Sequence, residues 1–249
     1  MVNAVALLNY LVVGVVAVIA YLLGSINSSI IVGRLHGIEI REQGSGNAGL
    51  TNTLRVLGKN AAGLVLLGDI LKGVVAILIA KFLTPYLLQL IAGTPQNFEA
   101  TLEMVKVTDI LTTLAIQLSG IAVVLGHIFP VYYQFKGGKG VLTSFTVIMM
   151  TQWQVGLCCL IIFVVTVLLT RYVSLGSVLC AIAFPFLLVG LSPYFESING
   201  YGWFVFGGIL AVLVIWCHRG NIARLWKNTE RKLGEKKEDY EKRIAEIGK

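Results

Sequence analysis

Thirty-three residues pass before this chain meets its first charge, at Arg34. A bilayer crossing needs about twenty such apolar residues. The run has no basic stretch at its start and is too long for the apolar part of a secretory signal, so it reads as a retained first span over residues 5–33. Further apolar segments cover 61–83, 110–129, 141–151, 154–170, 174–191 and 202–217. Only 13% of the 249 residues are charged, against about 25% in soluble domains. The expectation is an all-α integral membrane protein with seven transmembrane helices, because lipid offers no partner to unpaired backbone groups and no alternating strand pattern is visible. The segment 141–151 is the shortest; it starts directly after Gly140 and turns near Gln152-Trp153-Gln154, and without it the count falls to six. Pro130 closes a segment, whereas Pro185 lies inside one and should kink it unless the freed carbonyl finds a partner.

Charge sets the orientation. With seven spans, one face receives loop 34–60, loop 130–140, the Arg171 turn and everything from 218 onward. Seventeen of the twenty Lys and Arg fall there. Lys72 lies inside the second segment, leaving Lys81 and Lys106 for the other face. The preference for basic cytoplasmic loops then places the N-terminus outside and the C-terminus in the cytoplasm. Residues 1–218 form a membrane domain with its polar groups at the cytoplasmic edge, and 219–249 a basic cytoplasmic tail with a helix-like mixed pattern after Leu233. The formal charge of +7 thus gathers beside a bilayer, where each basic residue near the surface gains about 1 kcal/mol from anionic headgroups; the tail reads equally as a solvated helix. Membrane lipids are the expected partner, not nucleic acid. The outer loop 84–109 reads as a solvated linker. The four cysteines, Cys158, Cys159, Cys180 and Cys217, sit in or beside apolar segments without metal or redox spacing.

Three polar islands interrupt the apolar chain, all on the predicted cytoplasmic face. Gly44-Ser-Gly-Asn-Ala-Gly-Leu-Thr-Asn-Thr-Leu-Arg55 opens with residues that favour left-handed or turn backbone. Followed by a helix start, such a nest suits an anion. A nucleotide loop is rejected, because Leu50 stands where its lysine would be. A lone glycine cluster reads first as a tight turn between helices, but Asn47, Thr51, Asn52 and Arg55 need partners, and a helix would put Thr51 and Arg55 on one face. Lys136-Gly-Gly-Lys-Gly140 offers two cations on backbone that a ligand can approach closely; lysine suits phosphate as a point charge. It is equally a topogenic signal. His218-Arg-Gly-Asn-Ile-Ala-Arg224 closes the last span, with a histidine that caps a helix or meets a ligand. Asp69 and Lys72, three apart in the second segment, form either a functional intramembrane pair or a packing lock.

Taken in order, these islands resemble the PlsY-type glycerol-3-phosphate acyltransferases, integral membrane enzymes of bacterial phospholipid synthesis. The resemblance runs through Leu23-Gly24-Ser25, Gly44 to Asn52 with Arg55, Gly126-His-Ile-Phe-Pro130, Lys136 to Val141, Arg171-Tyr-Val-Ser-Leu175 and His218 to Leu225. This chain departs from the pattern at Asn27 (usually Pro), at Leu50 (usually Ala) and at Asn228-Thr229-Glu230 (usually Gly-Thr-Glu). Its loop 92–108 also looks longer than usual.

The resemblance implies acyl transfer from acyl phosphate to the sn-1 hydroxyl of glycerol 3-phosphate in the bacterial inner membrane, with the site facing the cytoplasm. Lysophosphatidic acid and phosphate would be the products. Acyl phosphate is already activated, so no metal and no cofactor is expected. The tasks are to hold two phosphates, orient a hydroxyl and stabilise an oxyanion. By the same resemblance Ser45, Asn47, Thr51, Asn52, Arg55, Lys139, Ser174, His218 and Asn221 would bind glycerol 3-phosphate. Lys136, with Gly137, Gly138 and Gly140 and in particular the Gly137 and Gly138 amides, would face the acyl phosphate. His218, Asn221 and Lys139 form the catalytic set, the proton going to His218 or to a substrate phosphate. No histidine has an acidic residue five positions on, since Arg41, Tyr132 and Ala223 stand there, so the signature of acyl-CoA-using acyltransferases is absent. The competing expectation is a transporter or binding protein for a phosphorylated anion, which would place polar groups near the midplane and often in duplicated halves.

Overall fold

The computed structural model describes residues 2–191, 194 and 201–247. They are helical apart from turns and connections, with no strand among the described residues. The chain groups into two compact units, Met1–Thr151 and Gln152–Lys249.

In the first unit α1 (Val2–Gly24) packs against α4 (Phe98–Ile128) and α3 (Leu50–Ala92). Small residues bring the α1 and α4 backbones together: a Cβ on Gly24 would overlap the Val123 backbone, and one on Gly126 would overlap the Tyr21 carbonyl. This is the close approach that small residues allow between membrane helices. The expected first span is interrupted. Helix α1 stops at Gly24, and α2 (Ser28–Leu35) restarts after Ser25-Ile26-Asn27. The Ser25 hydroxyl turns back to the Tyr21 carbonyl at 2.9 Å, while the Asn27 side chain accepts from Ile30 N at 3.0 Å and caps α2. Asn27, where the resembling family carries proline, does its local work as a helix cap.

Helix α3 is 43 residues long but breaks at Gly58, whose φ of 82° and ψ of −172° are not helical. The expected linker 84–109 is mostly helix: α3 runs on through Pro85 to Ala92, and α4 starts at Phe98, capped by Asn97. Leu87, Leu88, Leu90 and Ile91 continue the apolar pattern, which explains the extension. Helix α5 (Val141–Thr151) packs on α3 and α4, and its eleven residues reach about 16 Å, half the hydrocarbon thickness.

The second unit comprises α6 (Trp153–Thr170), α7 (Val173–Leu191), α8 (Tyr201–Cys217), α9 (Arg219–Trp226) and α10 (Lys237–Ile247). Helix α7 packs on both α6 and α8 and remains helical through Pro185. The path from α8 into α9 bends by 59°. The tail is folded onto this unit: Arg171 donates twice to the Leu233 carbonyl, at 3.2 and 2.9 Å, and Arg243 reaches the Asn228 and Glu230 carbonyls. All four cysteines are free. Among the described residues five stretches are long and apolar enough to cross a bilayer: Ala4–Leu35, Leu50–Ala92, Phe98–Tyr133, Trp153–Thr170 and Val173–Leu191. The bent α8–α9 pair is a sixth candidate, and Val141–Thr151 a shorter apolar helix.

Candidate active site

In the first unit the Gly44–Arg55 island folds around one amide. Asn52 Oδ1 accepts from Ser45 N at 2.8 Å and from the Ser45 hydroxyl at 3.1 Å. Its Nδ2 donates to the Ile40 and Gln43 carbonyls at 3.2 and 3.0 Å. An asparagine amide has two hydrogens and two lone pairs, so its hydrogen-bonding capacity is filled inside the loop. Gly44 turns at φ +61°, and a Cβ there would overlap Asn52 Oδ1. The loop thus presents Ser45 at the surface on a backbone nest held from beneath. Gly49 starts α3 by accepting from Asn52 N and Thr53 N, and the helix carries Thr51 and Arg55, both half-buried, before the Gly58 break. Asn47 is half-buried beside Gly49.

The Lys136–Gly140 turn lies next to this island. Arg41, paired with Glu39 at 2.9 Å, donates to the Tyr133 and Lys136 carbonyls at 3.3 and 3.5 Å and so bridges the two segments. Gln134 and Phe135 take left-handed backbone to make the turn. Both glycine amides have acceptors within the protein: Gly137 N donates to the Ile128 carbonyl at 3.0 Å and Gly138 N to the His127 carbonyl at 3.1 Å. These donors satisfy the last carbonyls of α4, groups that a helix end leaves open. The glycines are there for closeness, since a Cβ on Gly137 would overlap the His127 carbonyl and one on Gly138 the His127 ring. Lys136 is exposed and Lys139 half-buried. Gly140, at φ +76°, leads directly into α5, whose N-terminal dipole end favours anions.

In the second unit His218 sits at the α8–α9 bend. Its Nδ1 is 2.7 Å from the Val214 carbonyl. A carbonyl only accepts, so Nδ1 carries the hydrogen, and in the neutral ring Nε2 is the basic nitrogen. Asn221 and Ser174 are drawn together by a residue to which the sequence reading gave no role, Glu230. Its Oε1 accepts from Ser174 Oγ at 2.7 Å and from Asn221 Nδ2 at 2.6 Å, and its Oε2 from Arg224 Nε at 2.7 Å. Burial pushes the Glu230 carboxyl upward, but hydrogen bonds from Asn221, Ser174 and Arg224 outweigh it and hold it below its ordinary 4.5. The signal for Glu230 lay in the Asn228-Thr229-Glu230 stretch, visible only through resemblance. Partners of the Asp69–Lys72 pair were also missed: Ser28 donates to Asp69, and His127 meets Lys72.

The sequence matches the model of a family described as glycerol-3-phosphate acyltransferase over residues 14–228. A glycerol-3-phosphate acyltransferase of Clostridioides difficile (strain 630) is 42% identical over 226 residues, covering 90% of this chain and 97% of that protein. One of Thermoanaerobacter sp. (strain X514) is 42% identical, covering 89% and 96%. Among solved structures, PlsY, an integral membrane glycerol 3-phosphate acyltransferase, is similar in its glycerol 3-phosphate form. It has a TM-score of 0.71 and 33% identity, over 89% of this chain and 96% of that one. Its lysophosphatidic acid form gives a TM-score of 0.68 at the same identity.

Proposed function

Because this chain belongs to the glycerol-3-phosphate acyltransferase family, we propose that it transfers a fatty acyl group from acyl phosphate to the sn-1 hydroxyl of glycerol 3-phosphate. The observation that carries this reading is the match, over nearly nine-tenths of the chain, to a structure of an acyltransferase in its glycerol 3-phosphate form. The transporter alternative is not favoured, since the relatives are acyltransferases by name.

The hydroxyl oxygen attacks the acyl carbonyl carbon, and the bond to the phosphate oxygen breaks with its electron pair leaving on phosphate. The products are lysophosphatidic acid and inorganic phosphate. Ser45, Asn47, Thr51 and Arg55 bind the glycerol phosphate, and Asn52 serves them by fixing Ser45. Lys139, Ser174, His218 and Asn221 also belong to the glycerol 3-phosphate set, with Lys139, His218 and Asn221 catalytic. Acyl phosphate falls to the Lys136–Gly140 turn. With the Gly137 and Gly138 amides already engaged, its charge is met by Lys136 and by the α5 N-terminus after Gly140. His218 positions the hydroxyl. The Val214 carbonyl orients the ring, and the proton passes to a phosphate oxygen of the substrate.

We further propose seven crossings in the bacterial inner membrane, N-terminus outside and C-terminus in the cytoplasm. The membrane domain is 1–218 and the cytoplasmic part 219–249. The odd count is supported by the bias of basic residues toward one set of connections, with α5 as a short crossing.

Purified protein given acyl phosphate and glycerol 3-phosphate is expected to release phosphate and form lysophosphatidic acid together. Acyl-CoA should not replace the donor, and Arg55→Ala should abolish turnover. Equal rates with acyl-CoA would refute the donor assignment, and no product with either donor would refute the enzyme.

A further inference from the structure

The first unit buries three ionisable side chains that are not among the proposed substrate contacts: Asp69, Lys72 and His127, with side chains 2%, 4% and 5% exposed. The Lys72 ammonium lies 2.9 Å from Asp69 Oδ1, 3.0 Å from the Ile26 carbonyl and 2.8 Å from His127 Nδ1. Asp69 Oδ1 also accepts from Ser28 Oγ at 3.0 Å. An ammonium has three hydrogens and no lone pair. All three are therefore spent within the protein, and His127 Nδ1 is the acceptor, which leaves the ring hydrogen on Nε2.

That ring leads to the proposed acyl-phosphate turn. Gly138 lies so close to His127 Nε2 that a Cβ would overlap it. The His127 carbonyl accepts Gly138 N, and the next carbonyl, Ile128, accepts Gly137 N. His127 is thus gripped by Lys72 through its ring and grips the turn through its main chain. The other ligands of the ammonium come from the α1–α2 break and from α3. One cation gathers acceptors from three elements, which an apolar side chain cannot do. A buried ion pair is weak evidence for stability, and an ionisable residue at membrane depth is a functional candidate by default.

We propose that Asp69, Lys72 and His127 are positioning residues that hold the Lys136–Gly140 turn in register on α4, and that acyl transfer requires the Lys72 ammonium although it contacts no substrate. The assignment rests on the reading of that turn as the acyl-phosphate site, and its test includes a readout independent of activity. Hydrogen exchange of the Gly137 and Gly138 amides is measured in detergent-solubilised full-length protein, alongside steady-state turnover. In Lys72→Met, exchange at these amides should accelerate by about tenfold or more. The kcat should fall by about 100-fold, the scale of an ångström-sized misplacement. In Lys72→Ala, methylammonium should restore both protection and turnover, while tetramethylammonium, which has no hydrogens to donate, restores neither. His127→Phe leaves the Asp69–Lys72 pair intact and should show the same loosening, which keeps the test available if Lys72 variants fail to accumulate.

Wild-type turnover in Lys72→Met overturns the proposal. So does lost turnover with unchanged exchange, loosened exchange with unchanged turnover, or equal rescue by the two ammonium ions. If the wild type itself does not use acyl phosphate, the donor reading fails alone. The exchange arms then still decide whether the cation holds the turn.

Discussion

Asn52 and Glu230 share a device: a buried polar side chain that accepts hydrogen bonds from residues of the proposed site, Ser45 in one case and Ser174 with Asn221 in the other. Removing Asn52 strands the Ser45 amide and the Ile40 and Gln43 carbonyls. Each group left unsatisfied costs about 1–3 kcal/mol, reduced where water enters at the exposed Ser45 side. Asn52→Ala should therefore lower the melting temperature and raise KM for glycerol 3-phosphate, checked by thermal unfolding and by initial rates at varied substrate. A KM at the wild-type value would show that Ser45 needs no such support. For Glu230 the expectation is a pH effect. Its folded value is depressed below 4.5, so its contribution is fully present above the unfolded value and is lost as pH falls through the lower folded one. The contribution comes mainly from the buried Ser174 and Asn221 donors, because Arg224 is 45% exposed and exposed ion pairs add little. Melting curves between about pH 5 and pH 3 should show a loss in the wild type that is missing in Glu230→Gln. Equal slopes in both proteins would mean the carboxylate contributes nothing.

At the scale of elements, chain breaks matter more than helices. Gly58 has open space where a Cβ would go, yet its φ of 82° and ψ of −172° lie in a region essentially reserved for glycine. Gly58→Ala should cost about 1–3 kcal/mol through backbone strain alone. Unfolding of the purified variant measures it, and an unchanged midpoint would mean that α3 straightens at no cost. The helices themselves were legible: hydropathy placed α5 at its observed limits, and α6, α7 and α8 within a residue of theirs. The breaks were harder to see. Nothing in the apolar run 5–33 marks Ser25-Ile26-Asn27 as an interruption, since Ser, Ile and Asn all occur inside membrane helices. The break is sustained by long-range partners such as Val131 N on Ser25 Oγ at 3.3 Å and Lys72 on the Ile26 carbonyl. The linker reading of 84–109 failed for the opposite reason, because its scattered Glu99, Glu103 and Asp109 hid an apolar periodicity that carries the helices past any plausible bilayer thickness. Of the candidate site, residue types and order were visible. What each amide donates to was not, because Gly137 and Gly138 find their acceptors on a helix end nine and eleven residues earlier.

For the whole molecule the open variable is the parity of crossings, and it turns on α5. Eleven residues reach about 16 Å, so by length alone α5 does not span a bilayer. It is nonetheless apolar, and it packs on α3 and α4. If α5 does not cross, the connections before and after it lie on one face, and the basic residues of the C-terminal part change sides relative to Lys136 and Lys139. That arrangement would put ten Lys and Arg of the tail opposite the first two islands, against the rule that basic connections stay in the cytoplasm. A single labelling experiment separates the cases. In a background with the four native cysteines replaced, Gln96→Cys should react with an impermeant maleimide added to intact cells. Lys136→Cys and Lys227→Cys should react only after the membrane is permeabilised. Labelling of Lys227→Cys from outside, with Lys136→Cys still protected, would make α5 a re-entrant helix. Lys136 and His218 would then lie on opposite sides of the membrane, where no common pair of phosphorylated substrates could reach both.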